Sequence, residues 1–199
     1  YENLNSQGEY QGIVSGHGSW GNAYQGYRNF FNGDVSLNNG GDDSITAGVG
    51  DDWVDAGGGD DTIAGGVGND TLLGSDGHDS ITGGDGNDSI AGGFGNDTIT
   101  AGDGNDHVTS GDGKDIIDAG DGNNTIDAGG NNDTITSGTG NDVINAGDGD
   151  DSVTSSLGND NITAGDGADT VSAGIGNDTI KGGLGNDSLY GNENNDHIS

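Results

Sequence analysis

The residues most able to do chemistry in this chain are aspartates at a fixed spacing. Asp43, Asp52, Asp61, Asp70, Asp79, Asp88, Asp97, Asp106 and Asp115 follow one another every nine residues. Asn124 takes the next place, and the series resumes with Asp133, Asp142, Asp151, Asp160, Asp169, Asp178, Asp187 and Asp196. Carboxylates are hard oxygen donors and suit Ca2+, which takes roughly 6–8 oxygens in flexible geometry. Mg2+ demands a stricter octahedron and retained waters, and Zn2+ favours Cys or His. The chain has no Cys, and His17, His78, His107 and His197 do not cluster at ligand spacing. A run of acids is ordinarily a solvated face, but these aspartates keep phase with glycines and aliphatic residues.

That phase defines the elements that must position them. From Asn38 to Ser199 the chain divides into eighteen nine-residue units without insertion or deletion. Each reads small-Gly-x-Gly-x-Asp-x-aliphatic-x, as in Gly83-Gly84-Asp85-Gly86-Asn87-Asp88-Ser89-Ile90-Ala91. The eighth place is Ile, Val or Leu in all 18 units, the fourth is Gly in 16 and the second is Gly in 14. Self-similarity at a fixed period is the signature of a stacked repeat architecture. Side chains alternate along a strand, so an inward eighth residue puts the next first place inward too. That place is mostly Ala or Gly, as a narrow interior requires. Places seven and nine then face out. The pattern predicts a strand of three or four residues followed by a five-residue turn. Glycine there permits positive φ and close backbone approach. Each turn should bring one carboxylate and several carbonyls to one edge.

This unit resembles the RTX (repeats-in-toxin) calcium-binding nonapeptide, over 162 of the 199 residues. The resemblance implies an all-β parallel β-roll, a β-solenoid of about nine two-repeat coils with turns stacked in two columns. It also implies that each Ca2+ lies between consecutive turns of a column, held by Asp carboxylates and turn carbonyls. On that basis the seventeen aspartates of the series are the expected metal ligands. Two columns of nine turns leave eight gaps each, hence up to 16 ions for the 18 units. Departures from the motif are Asn124 for Asp, Asn131 and Asn194 for the fourth Gly, and Asn39, Ser75, Ser156 and Asn192 for the second. Sites beside Asn124 and at the two ends are the ones these departures put in question.

Composition excludes several partners. The formal net charge is −32, with 35 acidic residues against Arg28, Lys114 and Lys181. Phosphate binding needs Lys and Arg, so nucleic acid is not an expected ligand, nor is an anionic membrane surface. Such a charge favours divalent cations. Zero Cys excludes disulfides and thiolate metal sites. No apolar stretch approaches the length of a membrane span, and no signal peptide is visible. The first residue is Tyr1, which suggests a processed form or a fragment.

Residues 1–37 read as a second region. They hold seven of the ten aromatics and four charged residues. Ile13-Val14, Val35 and Leu37 suggest short strands between Gly-rich turns. Asn29 to Leu37 reads as a decayed unit, with Asp34 in the sixth place but Ser36 in the aliphatic one. An N-terminal cap on an open solenoid is the expected role, and an adhesive or assembly segment is the alternative.

Catalytic signatures are missing. There is no His-Glu-x-x-His, and His17-Gly18-Ser19-Trp20-Gly21 only faintly resembles a nucleophile elbow. Rows of Thr along a solenoid bind ice, but among third places only Thr139 is Thr, so ice binding is disfavoured. Val49 with Val67, and Leu157 with Ile175, instead put apolar side chains at that outward position in one column. The expected function is a non-enzymatic, extracellular calcium-binding structural protein of a surface layer, filament or adhesin, folding with Ca2+. Head-to-tail assembly, with 1–37 docking on the 190–199 end of the next copy, is part of that expectation. The competing reading is a non-catalytic module of a larger secreted enzyme or toxin that drives calcium-dependent folding after export.

Overall fold

In a computed structural model, the described residues are 13–16 and 35–199, with side chains described from Gly40 onward. Twenty strands, numbered in chain order, form two ten-stranded sheets. The first sheet holds β1 (Ile13–Gly16), β3 (Asp43–Val49), β5 (Thr62–Val67), β7 (Ser80–Asp85), β9 (Thr98–Asp103), β11 (Ile116–Asp118), β13 (Thr134–Thr136), β15 (Ser152–Thr154), β17 (Thr170–Ser172) and β19 (Ser188–Tyr190). The second holds β2 (Val35–Gly40), β4 (Trp53–Gly58), β6 (Thr71–Asp76), β8 (Ser89–Phe94), β10 (His107–Asp112), β12 (Thr125–Gly130), β14 (Val143–Asp148), β16 (Asn161–Asp166), β18 (Thr179–Leu184) and β20 (His197–Ile198). The expected all-β parallel solenoid of about nine coils is what forms, with no helix among the described residues.

Pairing fixes the coil at two units. Ser44 pairs with Thr62 and Ile45 with Ile63, an offset of eighteen, and every pair but one is parallel. The exception is β1, which runs antiparallel to β3. Units alternate between sheets, so equal places stack directly. The eighth-place residues, from Ile45 through Ile180, fill the interior with the first-place alanines and form one core. Chain reversal between sheets after each nine residues leaves room only for a small first-place side chain, and Ala47, Ala101 and Ala164 are fully buried there.

Two local expectations change. Strands of three or four residues occur only in some coils: β11, β13, β15, β17 and β19 have three, whereas most of the others run six, through the third place. Backbone stacking continues past the first place, as when Gly50 N donates to Val67 O at 2.7 Å, so the ladder extends into the expected turn. In β2 the register slips by one residue, and Val35 rather than Ser36 pairs with Val54. A bulge between Ser36 and Asn39 restores the offset. One extra residue thus moves an aliphatic residue into register with the buried row, as register shifts of one must. The remainder of the 1–37 segment lies outside the described residues.

Candidate metal centre

The sixth, eighth and first places share one parity along the strand. The aspartates therefore face the same side as the aliphatic residues. Asp43 through Asp178 are all buried, each 3% exposed or less. Only Asp187 and Asp196, in the last coil, are partly exposed. One column of turns holds Asp43, Asp61, Asp79, Asp97, Asp115, Asp133, Asp151, Asp169 and Asp187. The other holds Asp52, Asp70, Asp88, Asp106, Asn124, Asp142, Asp160, Asp178 and Asp196.

One carboxylate oxygen is engaged by the neighbouring turn. Asp70 Oδ1 accepts the backbone N–H of Asp52 at 2.8 Å, and Asp88 Oδ1 accepts that of Asp70 at 2.8 Å. The same bond recurs up both columns to Asp178, whose N–H reaches Asp196 Oδ1 at 3.1 Å. The second oxygen has no such donor. In eleven turns, those of Asp61, Asp70, Asp79, Asp88, Asp97, Asp106, Asp115, Asp133, Asp151, Asp169 and Asp178, Oδ2 is buried without a hydrogen-bond partner. Serine hydroxyls from Ser137 and Ser155 lie beside Asp142 and Asp160.

Asn124 reveals what surrounds that second oxygen. Its Oδ1 accepts the N–H of Asp106 at 2.9 Å, as an aspartate would. Its Nδ2 stands in the position of Oδ2 and donates to the carbonyls of Ala119 (3.5 Å), Gly120 (3.4 Å) and Ser137 (3.3 Å). These are the first and second places of its own unit and the first place of the next turn in the column. The aspartate turns keep the same arrangement. A Cβ placed on Gly65 would meet Asp70 Oδ2 at 2.5 Å and the carbonyl of Gly83, the equivalent of Ser137, at 2.8 Å. Each aspartate thus points an acceptor into a nest of acceptors.

Such a nest raises the proton affinity of the carboxylate. Burial pushes Asp61, Asp70 and Asp79 up to about 6; the accepted N–H bond opposes this, and the column's other carboxylates add to it. Asp133 is pushed up to about 7 by burial, with Asp115 and Asp151 contributing. Asp88, Asp97, Asp106, Asp151, Asp169 and Asp178 move the same way, burial again leading. A buried carboxylate with an unsatisfied oxygen costs several kcal/mol unless a counter-charge is supplied. A hard cation meets that need: it accepts Oδ2 and the converging carbonyls together, in the oxygen-only coordination that Ca2+ prefers. No three acidic or His side chains converge among the described residues, so carbonyls must provide most ligands in each gap.

The family model of the RTX calcium-binding nonapeptide repeat matches residues 37–72, 64–99, 73–108, 92–126, 127–162 and 163–198. The chain belongs to that family. Its repeats bind Ca2+, and the buried Oδ2 atoms fit the ion. No curated protein matches the chain.

One row of this RTX solenoid escaped sequence reading. The fifth place is mostly Asn or Asp and forms a second ladder, directed oppositely to the first. Asn87 N–H donates to Asn69 Oδ1 at 2.8 Å, and Asn105 N–H to Asn87 Oδ1 at 2.7 Å. His78 fits the row because its Nδ1 accepts the N–H of Asn96 at 2.7 Å. The recurring Asn was the available signal. The glycine departures were visible as such, and they keep the glycine conformation: φ is +84° at Ser75, +78° at Asn131, +77° at Ser156, +71° at Asn192 and +86° at Asn194.

Proposed function

We propose that the chain is an extracellular, non-catalytic structural protein whose β-roll is assembled by Ca2+, as a component of a surface layer, filament or adhesin. The observation that supports this is the buried, donorless Oδ2 repeated from turn to turn. The seventeen aspartates of the two columns supply the carboxylates, with first- and second-place carbonyls completing each gap. Binding of this kind is folding energy, because the unfolded chain has no preformed nest. Extracellular modules work at roughly 10⁻⁴–10⁻³ M Ca2+, so a chain built this way folds where calcium is abundant, outside the cell. The scale of the array, a gap repeated along both columns rather than one regulatory site, suits a scaffold.

Self-assembly belongs to the same proposal. Leu157 and Ile175 pair in register on one edge and are 46% and 45% exposed, and Val49 and Val67 pair likewise at 58% and 49%. Such apolar steps on an otherwise acidic edge suit contacts between copies once calcium has neutralised the surface. Electron microscopy and sedimentation in millimolar Ca2+ test this. Assemblies that weaken in Leu157→Asp/Ile175→Asp support the structural role. A strictly monomeric chain in calcium contradicts it and favours a carrier module.

A further inference from the structure

The donor that Asn124 places in its nest is the first of a series. Asn124 Nδ2 donates to Ser137 O at 3.3 Å, Ser137 Oγ to Ser155 O at 3.4 Å, and Ser155 Oγ to Ala173 O at 2.6 Å. The accepting atoms are first-place carbonyls of successive turns in one column. Three consecutive gaps are therefore bridged by side-chain donors, in the lower half of that column. In the other column Ser110 Oγ makes the same bond to Ala128 O at 2.7 Å. Elsewhere from Ala47 onward the first place is Ala or Gly, which has no donor to offer.

Both kinds of donor do part of what a cation does. The Asn124 amide removes one carboxylate and shares its two N–H groups among three carbonyls at 3.3–3.5 Å. Each serine hydroxyl takes up one carbonyl, and those of Ser137 and Ser155 lie against the carboxylates of their own turns. A solenoid gains stability from each unit and its nearest neighbours, so segments of one array can fold at different thresholds. We infer that residues 119–173 form a calcium-sparing centre, in which one column is closed by protein hydrogen bonds at Asn124, Ser137 and Ser155 while Asp133, Asp151 and Asp169 of the other still call for the ion, and from which two more calcium-dependent arms extend. Asn124 then marks a gap without an ion, so that full loading falls short of one ion per gap.

This inference rests on Ca2+ being the ion of the other gaps, and the test separates the two. Hydrogen–deuterium exchange of the full chain is followed at stepped Ca2+, with bound calcium counted in parallel. Amides of 119–173 should gain protection at Ca2+ concentrations roughly fivefold or more below those needed by 61–106, the factor that about one net hydrogen bond supplies. Ser137→Ala/Ser155→Ala keeps every carboxylate; it should erase that lead and leave the calcium count unchanged. Asn124→Asp should erase it and raise the count. One shared midpoint along the whole chain, or variants that preserve the lead, would overturn the inference while leaving the calcium reading intact. Protection of the whole chain without calcium would overturn both.

Discussion

The carboxylate of Asp88 accepts the backbone N–H of Asp70, eighteen residues earlier, at 2.8 Å. That bond commits one oxygen to holding two coils in register and leaves the other in the carbonyl nest. One oxygen of this side chain is thus structural, and the other is the one we propose for the metal.

Replacing Asp88 separates them. Asp88→Asn retains the bond to Asp70 and offers the nest an amide, as Asn124 does. It should bind fewer ions and lose about 1.4 kcal/mol in calcium at ten times Kd, the linkage energy of one site. Asp88→Ala also leaves the Asp70 N–H unpaired and should cost more. Calorimetric ion counting with urea unfolding in Ca2+ checks both. An unchanged ion count in Asp88→Asn removes this residue from the ligand set.

Acid should partly replace calcium. The carboxyls of Asp61, Asp70 and Asp79 sit at about 6 and Asp133 at about 7 in the calcium-free fold, against about 3.9 in an unfolded chain. A raised folded value favours the fold fully below the unfolded value, and that contribution is lost as pH rises through 6 to 7. Calcium-free chain prepared by dialysis should therefore gain β signal between pH 7.5 and 4.5. In calcium the dependence reverses, because protons compete with the ion: the Ca2+ midpoint should rise as pH falls through the same window. A calcium-free β signal that falls on acidification contradicts the buried-carboxylate account.

Backbone strain gives an independent check. Ser156 holds φ at +77°, a conformation that costs a non-glycine residue roughly 1–2 kcal/mol. Ser156→Gly should raise the unfolding midpoint in calcium, by up to about 1 kcal/mol after glycine's extra chain entropy. A lower midpoint would mean that the Ser156 side chain contributes a contact worth more than the strain.

The fifth-place ladder should be structural alone. Asn105→Ala removes the acceptor of the Asn123 N–H, now at 2.7 Å, and should cost about 0.5–1.5 kcal/mol. The ion count should not change, since the bond lies on the exposed side of the turn. A lost ion in Asn105→Ala would place the fifth residue among the ligands.

Much of this was legible in the residues. The nine-residue period carries the solenoid, the buried eighth place and the stacked aspartate series, because every unit repeats one local structure. What crosses eighteen residues was less visible. Asp and aliphatic share a parity, so burial of the carboxylates follows from the pattern once the alternation is known to extend one residue ahead of the strand, which begins at the seventh place in every unit from Trp53 onward. The Asn ladder at the fifth place needs the coil length before its partners can be named. Asn124 reads in sequence as a missing charge, and only in the nest does it become a donor. The slip that puts Val35 opposite Val54 depends on the pairing strand and has no local sign.

The central claim is that calcium, satisfying a buried oxygen in turn after turn, is what makes this chain fold. Far-ultraviolet circular dichroism across a Ca2+ titration at pH 7.5, starting from chelated protein, tests it most directly. The account predicts a disordered spectrum without calcium and a cooperative rise of β signal by millimolar Ca2+, with Mg2+ far less effective. A full β spectrum that persists in excess chelator at that pH would contradict it.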